Sequence, residues 1–167
     1  MLGYVIHDEA TDPNGRMAAL AARLGAEGWR LAGAVQANII RGPDCACDME
    51  LAVLGADAAP IRISQSLGAG SMGCRLDSDA LERAAGLAAG VLDGGADLII
   101  VNKFGKQEAI GRGFRDLIGA ALTRGVPVLT AVAPDQLAAF REFADGMEVA
   151  LDWDSVEDWC QTARVAA

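Results

Sequence analysis

Residues 98–108 read LIIVNKFGKQE, and the fold is decided by how this stretch is understood. Leu98 to Val101 form a short, uninterrupted apolar run, the pattern of a strand buried on both faces of a sheet. The run ends at Asn102 and Lys103, two groups that a buried strand can carry only if they find partners. The chain has two lysines, Lys103 and Lys106, and both fall in this stretch, while the arginines are scattered along the whole length.

Downstream, Phe114, Leu117, Ile118, Ala121 and Leu122 repeat at the spacing of one helix face, and Gly125 followed by Pro127 stops that helix. VPVLTAV (126–132) is a second buried strand. Pro134 opens a helix through Phe140, MEVAL (147–151) is a short strand, and Val156, Trp159, Cys160 and Ala163 mark a last amphipathic helix with Cys160 in the core. Upstream, LGYVI (2–6) is a strand. Asp12 and Pro13 supply a cap and a first helical position, with Met17, Leu20, Ala21 and Leu24 on one face.

LAGAVQ (31–36) is a further strand. Residues 39–64 carry turn residues and short apolar pieces but no helical period, which predicts an inserted β-hairpin or meander. A glycine- and serine-rich loop follows as far as Leu76. A helix then starts near Asp77 or Ser78 with Leu81, Ala84, Ala85, Ala88 and Leu92 inward. Strands alternating with helices imply an α/β fold with a mostly parallel sheet and helices on both faces. With neither repeat nor linker, residues 1–167 are expected to form one domain.

Composition narrows the function classes. In 167 residues, 14 Lys and Arg face 23 Asp and Glu, for a formal net charge of −9. Nucleic acid is therefore not an expected partner, because neutralising phosphates takes clustered cations. The opening MLGYVIHDEA has no basic leader, and no run reaches the roughly 18 apolar residues of a membrane span. The expectation is a cytoplasmic protein without membrane insertion, whose four cysteines are reduced.

In an open parallel sheet, ligands bind beyond the carboxyl ends of the strands. Three segments should meet there: residues 7–17 (HDEATDPNGRM), Gln36 with its loop, and residues 102–113 (NKFGKQEAIGRG). The layout resembles the P-loop fold and, more narrowly, the small nucleoside triphosphatases described from thermophiles and as cancer-related. Their D-E-I-G-K-M-E motif is matched here by N-K-F-G-K-Q-E, and the likeness continues through FRDLIGAALTRGVPVLTAV. It implies a three-layer P-loop-like sheet with an inserted hairpin at 39–64.

The departures from that family carry the functional expectation. A phosphate loop reads GxxxxGK[ST], but DPNGRM stands in its place, so Arg16 falls at the lysine position, after Gly15, and Met17 at the hydroxyl that would hold Mg²⁺. Asn102 and Lys103 replace the carboxylates associated with the metal and the attacking water. Phosphoryl transfer needs a metal to neutralise developing charge, which argues against Mg-dependent hydrolysis. The ionisable groups left at the site are basic. Gly15, Arg16, Asn102, Lys103, Lys106 and Arg112 are the candidate contacts for a small anionic ligand, a nucleotide or an oxyanion held without Mg²⁺.

The set CxCDMEL, GCRLD, NKFGKQEAxGRGFRD and GVPVLTAV also resembles a bacterial family, a domain of unknown function spanning nearly the whole chain. Its association with molybdate uptake implies a role in handling molybdenum or another oxyanion, with a transporter or metal-pathway partner or self-association as further options. Two alternatives stay open. Asp8 or Glu9 could replace the lost carboxylates in an active nucleotide phosphatase, or Cys45, Cys47 and Cys74 could hold zinc or a softer metal.

Overall fold

The computed structural model describes residues 1–7, 11–39, 48–65 and 75–166. The strands are β1 (Leu2–Ile6), β2 (Leu31–Ile39), β3 (Asp48–Val53), β4 (Ile61–Arg62), β5 (Ser64–Gln65), β6 (Arg75–Leu76), β7 (Leu98–Phe104), β8 (Val128–Val132) and β9 (Glu148–Leu151). The α-helices are α1 (Pro13–Ala26), α2 (Ser78–Asp93), α3 (Lys106–Ala109), α4 (Arg115–Thr123), α5 (Leu137–Ala144) and α6 (Val156–Ala166). A single 3₁₀ turn, Pro134–Gln136, leads into α5.

Seven strands form one sheet in the order β4-β3-β2-β7-β8-β1-β9, and β5 pairs with β6 in a separate ribbon. From β2 to β9 every pairing is parallel, and β3 and β4 add on antiparallel. The sheet is buried on both faces, which is why β7 and β8 read as continuous apolar runs rather than alternating ones. On one face α1 and α6 cover Val5, Leu98, Ile100 and Leu129. On the other, α2, α4 and α5 cover Leu2, Ile99, Val101 and Phe104. Cys160 belongs to the first of these layers and is fully buried, and its thiol is pushed up to about 12 by burial and by the charge of Glu157.

Helix starts follow the sequence signals. Asp12 caps α1 with Pro13 in its first turn, and Asp77 caps α2 by accepting from the Ala80 amide at 3.0 Å. Within the 39–64 stretch, β3 and β4 pair antiparallel as a hairpin, and this hairpin lengthens the main sheet. β2 runs on to Ile39 because its outer edge pairs with β3, with Ile39 opposite Asp48. The stretch up to Leu76, expected as loop, ends in the two-residue strand β6. Pieces as short as β4, β5, β6 and the four-residue α3 are too brief for any period to show.

At the opposite end of the sheet from the strand carboxyl ends, Asp97 accepts from the Arg30 backbone at 3.0 Å and from its guanidinium at 2.7 Å, and from Arg164 of α6 at 3.2 Å. Partial burial opposes ionisation of Asp97, but the two arginines outweigh it and hold the carboxyl below its ordinary value. The Arg164 guanidinium also lies 4.4 Å from the centre of the Trp29 ring. No helix among the described residues is long and apolar enough to cross a membrane.

Gly33 sits inside β2 with φ of +99°, and a Cβ there would collide with the Ile100 carbonyl oxygen of β7. Both the conformation and the close approach require glycine. Gly33→Ala is expected to cost about 3 kcal/mol or more, combining backbone strain with a forced separation of the central strands. Urea titration of the two proteins measures this, and a cost below about 1 kcal/mol would contradict the close packing of β2 on β7.

Candidate functional site

The side chain of Asn102, near the end of β7, is only 4% exposed. Its Oδ1 accepts from the backbone amide of Gln36 in β2 at 3.1 Å, and its Nδ2 donates to Asn14 Oδ1 in the first turn of α1 at 2.6 Å. A neutral amide offers both a donor and an acceptor, which suits this double link better than a carboxylate, which can only accept. The Gln36 side chain is also buried and donates to Asn38 at 2.8 Å.

Past Asn102, β7 runs through Lys103 and Phe104 to Gly105, and the chain turns into α3. Glu108 folds back to fix this turn. Its Oε2 accepts from the Gly105 amide at 2.9 Å and its Oε1 from the Phe114 amide at 3.1 Å, while Glu82 takes the Gly113 amide at 2.6 Å. Gly113, with φ of +61°, has to be glycine, because a Cβ would run into Glu108 Oε1. Glu108 is 4% exposed, and burial raises its pKa against the pull of the two amides and of nearby Lys103. Its engaged oxygens make it a clip for the loop rather than a free base.

These elements enclose a cavity of about 460 Å³ at the carboxyl end of the sheet. Its polar lining comes from His7 after β1, Gln36 of β2, Asn102, Lys103, Lys106, Gln107 and Glu108, and Asp135 and Gln136 of the 3₁₀ turn. Its apolar wall is built from Met49 and Leu51 of β3, Ile63, Leu76, Leu81 of α2, and Phe104 and Phe114. Both lysines are solvent-exposed at the cavity. Of the three segments expected to converge, His7, Gln36 and residues 102–108 line this cavity, while residues 8–10 and 40–47 lie outside the described residues.

Of the six candidate anion contacts, Asn102, Lys103 and Lys106 line this cavity; Gly15, Arg16 and Arg112 are not among its lining residues. The start of α1 is differently occupied. Asp12 Oδ1 accepts from the Gly15 amide at 3.0 Å, and the carboxylate lies so close that a Cβ at residue 15 would overlap it. Pro13 has no amide hydrogen to give. The end of α1 thus already holds an internal carboxylate. Arg16 points elsewhere, its guanidinium 5.2 Å from the centre of the Trp153 ring. There it lines a separate groove with Trp153, Arg23 and Glu157, the last two joined by a 2.6 Å ion pair.

Arg112 is exposed, with its amide donating to the Gln107 carbonyl at 2.9 Å. Cys45, Cys47 and Cys74 lie outside the described residues, as do Asp8 and Glu9; among the described residues no group of three metal-ligating side chains comes together. Sequence reasoning missed Asp135 and Gln136 and the hairpin's share of the wall. The Pro134 turn after β8 was the available signal for the former.

Two substitutions test this geometry. Asn102→Leu leaves the buried Gln36 amide without an acceptor and should cost about 1 to 3 kcal/mol, read by chemical denaturation; a neutral effect would remove Asn102 from its linking role. For Glu108, the raised pKa means the folded state holds its proton more tightly, so its contribution is full in acid and is lost as pH rises through the folded value. The stability of the wild type relative to Glu108→Gln should therefore fall as pH rises from the ordinary glutamate range towards neutrality. A difference that stays flat between pH 4 and 8 would place Glu108 in a solvated setting.

Solved structures share this architecture. The chain superposes on THEP1 from the hyperthermophile Aquifex aeolicus with a TM-score of 0.67, covering 97% of this chain and 96% of that one at 14% identity. It matches a human cancer-related nucleoside triphosphatase at a TM-score of 0.65, covering 98% and 97%, again at 14% identity. The fold is that of the P-loop nucleoside triphosphatases. In sequence it is 40% identical over 134 residues to the Molybdenum import ATP-binding protein ModC 2 of Bradyrhizobium diazoefficiens, a match spanning 79% of this chain and 15% of the length of that relative. The model of one family matches residues 2–159, and the chain accordingly belongs to the family described as Protein of unknown function (DUF2478).

Proposed function

We propose that this domain binds a small anion, a nucleotide or an oxyanion, without a magnesium ion, and serves as a binding or accessory protein in the handling of molybdenum or a similar oxyanion. The observation that carries the reading is the position of the chain's two lysines. In a protein of net charge −9, Lys103 and Lys106 stand together at a cavity beyond the carboxyl ends of the strands. Asn102 occupies the strand-end position at which a carboxylate would otherwise hold a metal ion, and it spends its polar atoms on protein partners. The two lysines stand here beside the carboxylates of Asp135 and of Glu108, the latter already engaged by backbone amides, and gathering every lysine of the chain at one opening favours an anion there.

The P-loop architecture and the name of the Bradyrhizobium relative, which speaks of molybdenum import and ATP binding, support the same class of ligand and the same setting. Lys103 and Lys106 would meet the anion, with Gln36 and Asn102 as the neutral polar floor. Arg16 is left out of this reading, because its guanidinium faces the Trp153 ring and it is not among the residues lining the cavity, and Asp12 already accepts from the Gly15 amide at the start of α1.

The test is a thermal-shift series with ATP, ADP, phosphate, sulfate, molybdate and tungstate, each with Mg²⁺ and with EDTA. A ligand at about 100 times its Kd adds about 2.7 kcal/mol, or roughly 5 to 10 °C for a domain of this size. The expected result is stabilisation by at least one anion, equal in Mg²⁺ and in EDTA, and lost in Lys103→Ala with Lys106→Ala. Stabilisation only by Mg-ATP, or shifts that ignore both lysines, would overturn the proposal.

A further inference from the structure

The shape of the cavity narrows the ligand, given the anion-binding reading on which this step rests. We infer that the site takes an organic anion with a flat apolar body, a ring bearing one phosphate or carboxylate, which enters ring first and leaves its charged group at the two lysines.

Three observations lead there. The first is the segregation of polarity. Both lysines are exposed, whereas Leu51, Ile63, Leu81, Phe104 and Phe114 form a buried apolar wall, and the buried polar groups of the lining, Gln36, Asn102 and Glu108, already have protein partners. A bare tetrahedral dianion gains nothing from such a wall and would be desolvated against it at a cost. The second is size. A cavity of about 460 Å³ is far roomier than a single oxyanion requires and falls in the range that encloses small organic ligands.

The third is the direction of entry. The start of α1, where a phosphate would otherwise be received, is capped by Asp12 and lacks the Pro13 donor, and it contributes no residue to the cavity lining. The charged group is thereby left to the lysine side, and the apolar body to the wall that β3 and Ile63 of the inserted hairpin build against α2. Gln36 and Asp135 lie beside the wall as polar groups that can read the edge of a ring.

The experiment is isothermal titration calorimetry on the intact chain with inorganic phosphate, molybdate, phenyl phosphate and 1-naphthyl phosphate. The ring-bearing phosphates are expected to bind at least 10-fold more tightly than phosphate or molybdate. Met49→Trp, a change on a half-buried residue of β3, should erase that advantage and leave phosphate affinity unchanged. The Met49 methyl resonance in the unsubstituted protein, followed by NMR, gives an independent reading, since a ring seated on the wall must shift it while phosphate must not.

Equal affinity for phosphate and the aryl phosphates, with a Met49 signal that does not move, would overturn the ring subsite and leave the anion reading standing. A failure of every probe to bind in a manner dependent on Lys103 and Lys106 would overturn the anion reading and the ring subsite with it.

Discussion

Two hydrogen bonds from one buried amide hold the upper end of this molecule together. Asn102 joins the backbone of β2 to the first turn of α1 near the end of the central strand, so the start of α1 and the strands β2 and β7 are tied together at one level. Because the group is neutral, it can be buried with both functions satisfied and without the desolvation penalty of an ion. The lysine next to it is turned outward for the opposite reason. The pairing of β7 with β8 is irregular between Val101 and Phe104, and within that irregularity Lys103 stays exposed while Asn102 and Phe104 are buried.

The rest of the site follows from how the chain leaves that level. Glu108 reaches back to the amides of Gly105 and Phe114 and closes the loop that carries both lysines, so their separation is set by a rigid turn and not by a flexible one. The hairpin of β3 and β4, by lengthening the sheet beside β2, brings an apolar surface over the same opening. The cavity is walled by an insertion as much as by the parallel core that carries it.

Much of the fold could be read from the residues alone. Strands buried on both faces announce themselves as apolar runs, and the Asp12–Pro13 and Asp77 caps mark helix starts locally, so β1, β7, β8, α1, α2 and α4 were legible. The pairs β4 and β5–β6 were not, since two residues have no period and form only because a partner is supplied by tertiary structure. At the site, the meeting of His7, Gln36 and the stretch from Asn102 to Glu108 at the carboxyl end of the sheet was visible from topology. The turning of Arg16 towards Trp153 was not, because that contact joins residues 137 positions apart and no local pattern encodes it. Asp12 was legible as a cap, but its effect on the neighbouring anion position appears only when the distance to the Gly15 amide is known.

Cys160 has a chemical consequence of another kind. A thiol sealed between α6 and the sheet, with its proton held to about pH 12, contains almost no thiolate at neutral pH and offers no path to a reagent. Alkylating agents, mild oxidants and maleimide dyes applied to the folded protein will pass it by. Uptake of such a label by Cys160 is therefore a direct signal that the α6 layer has come off the sheet.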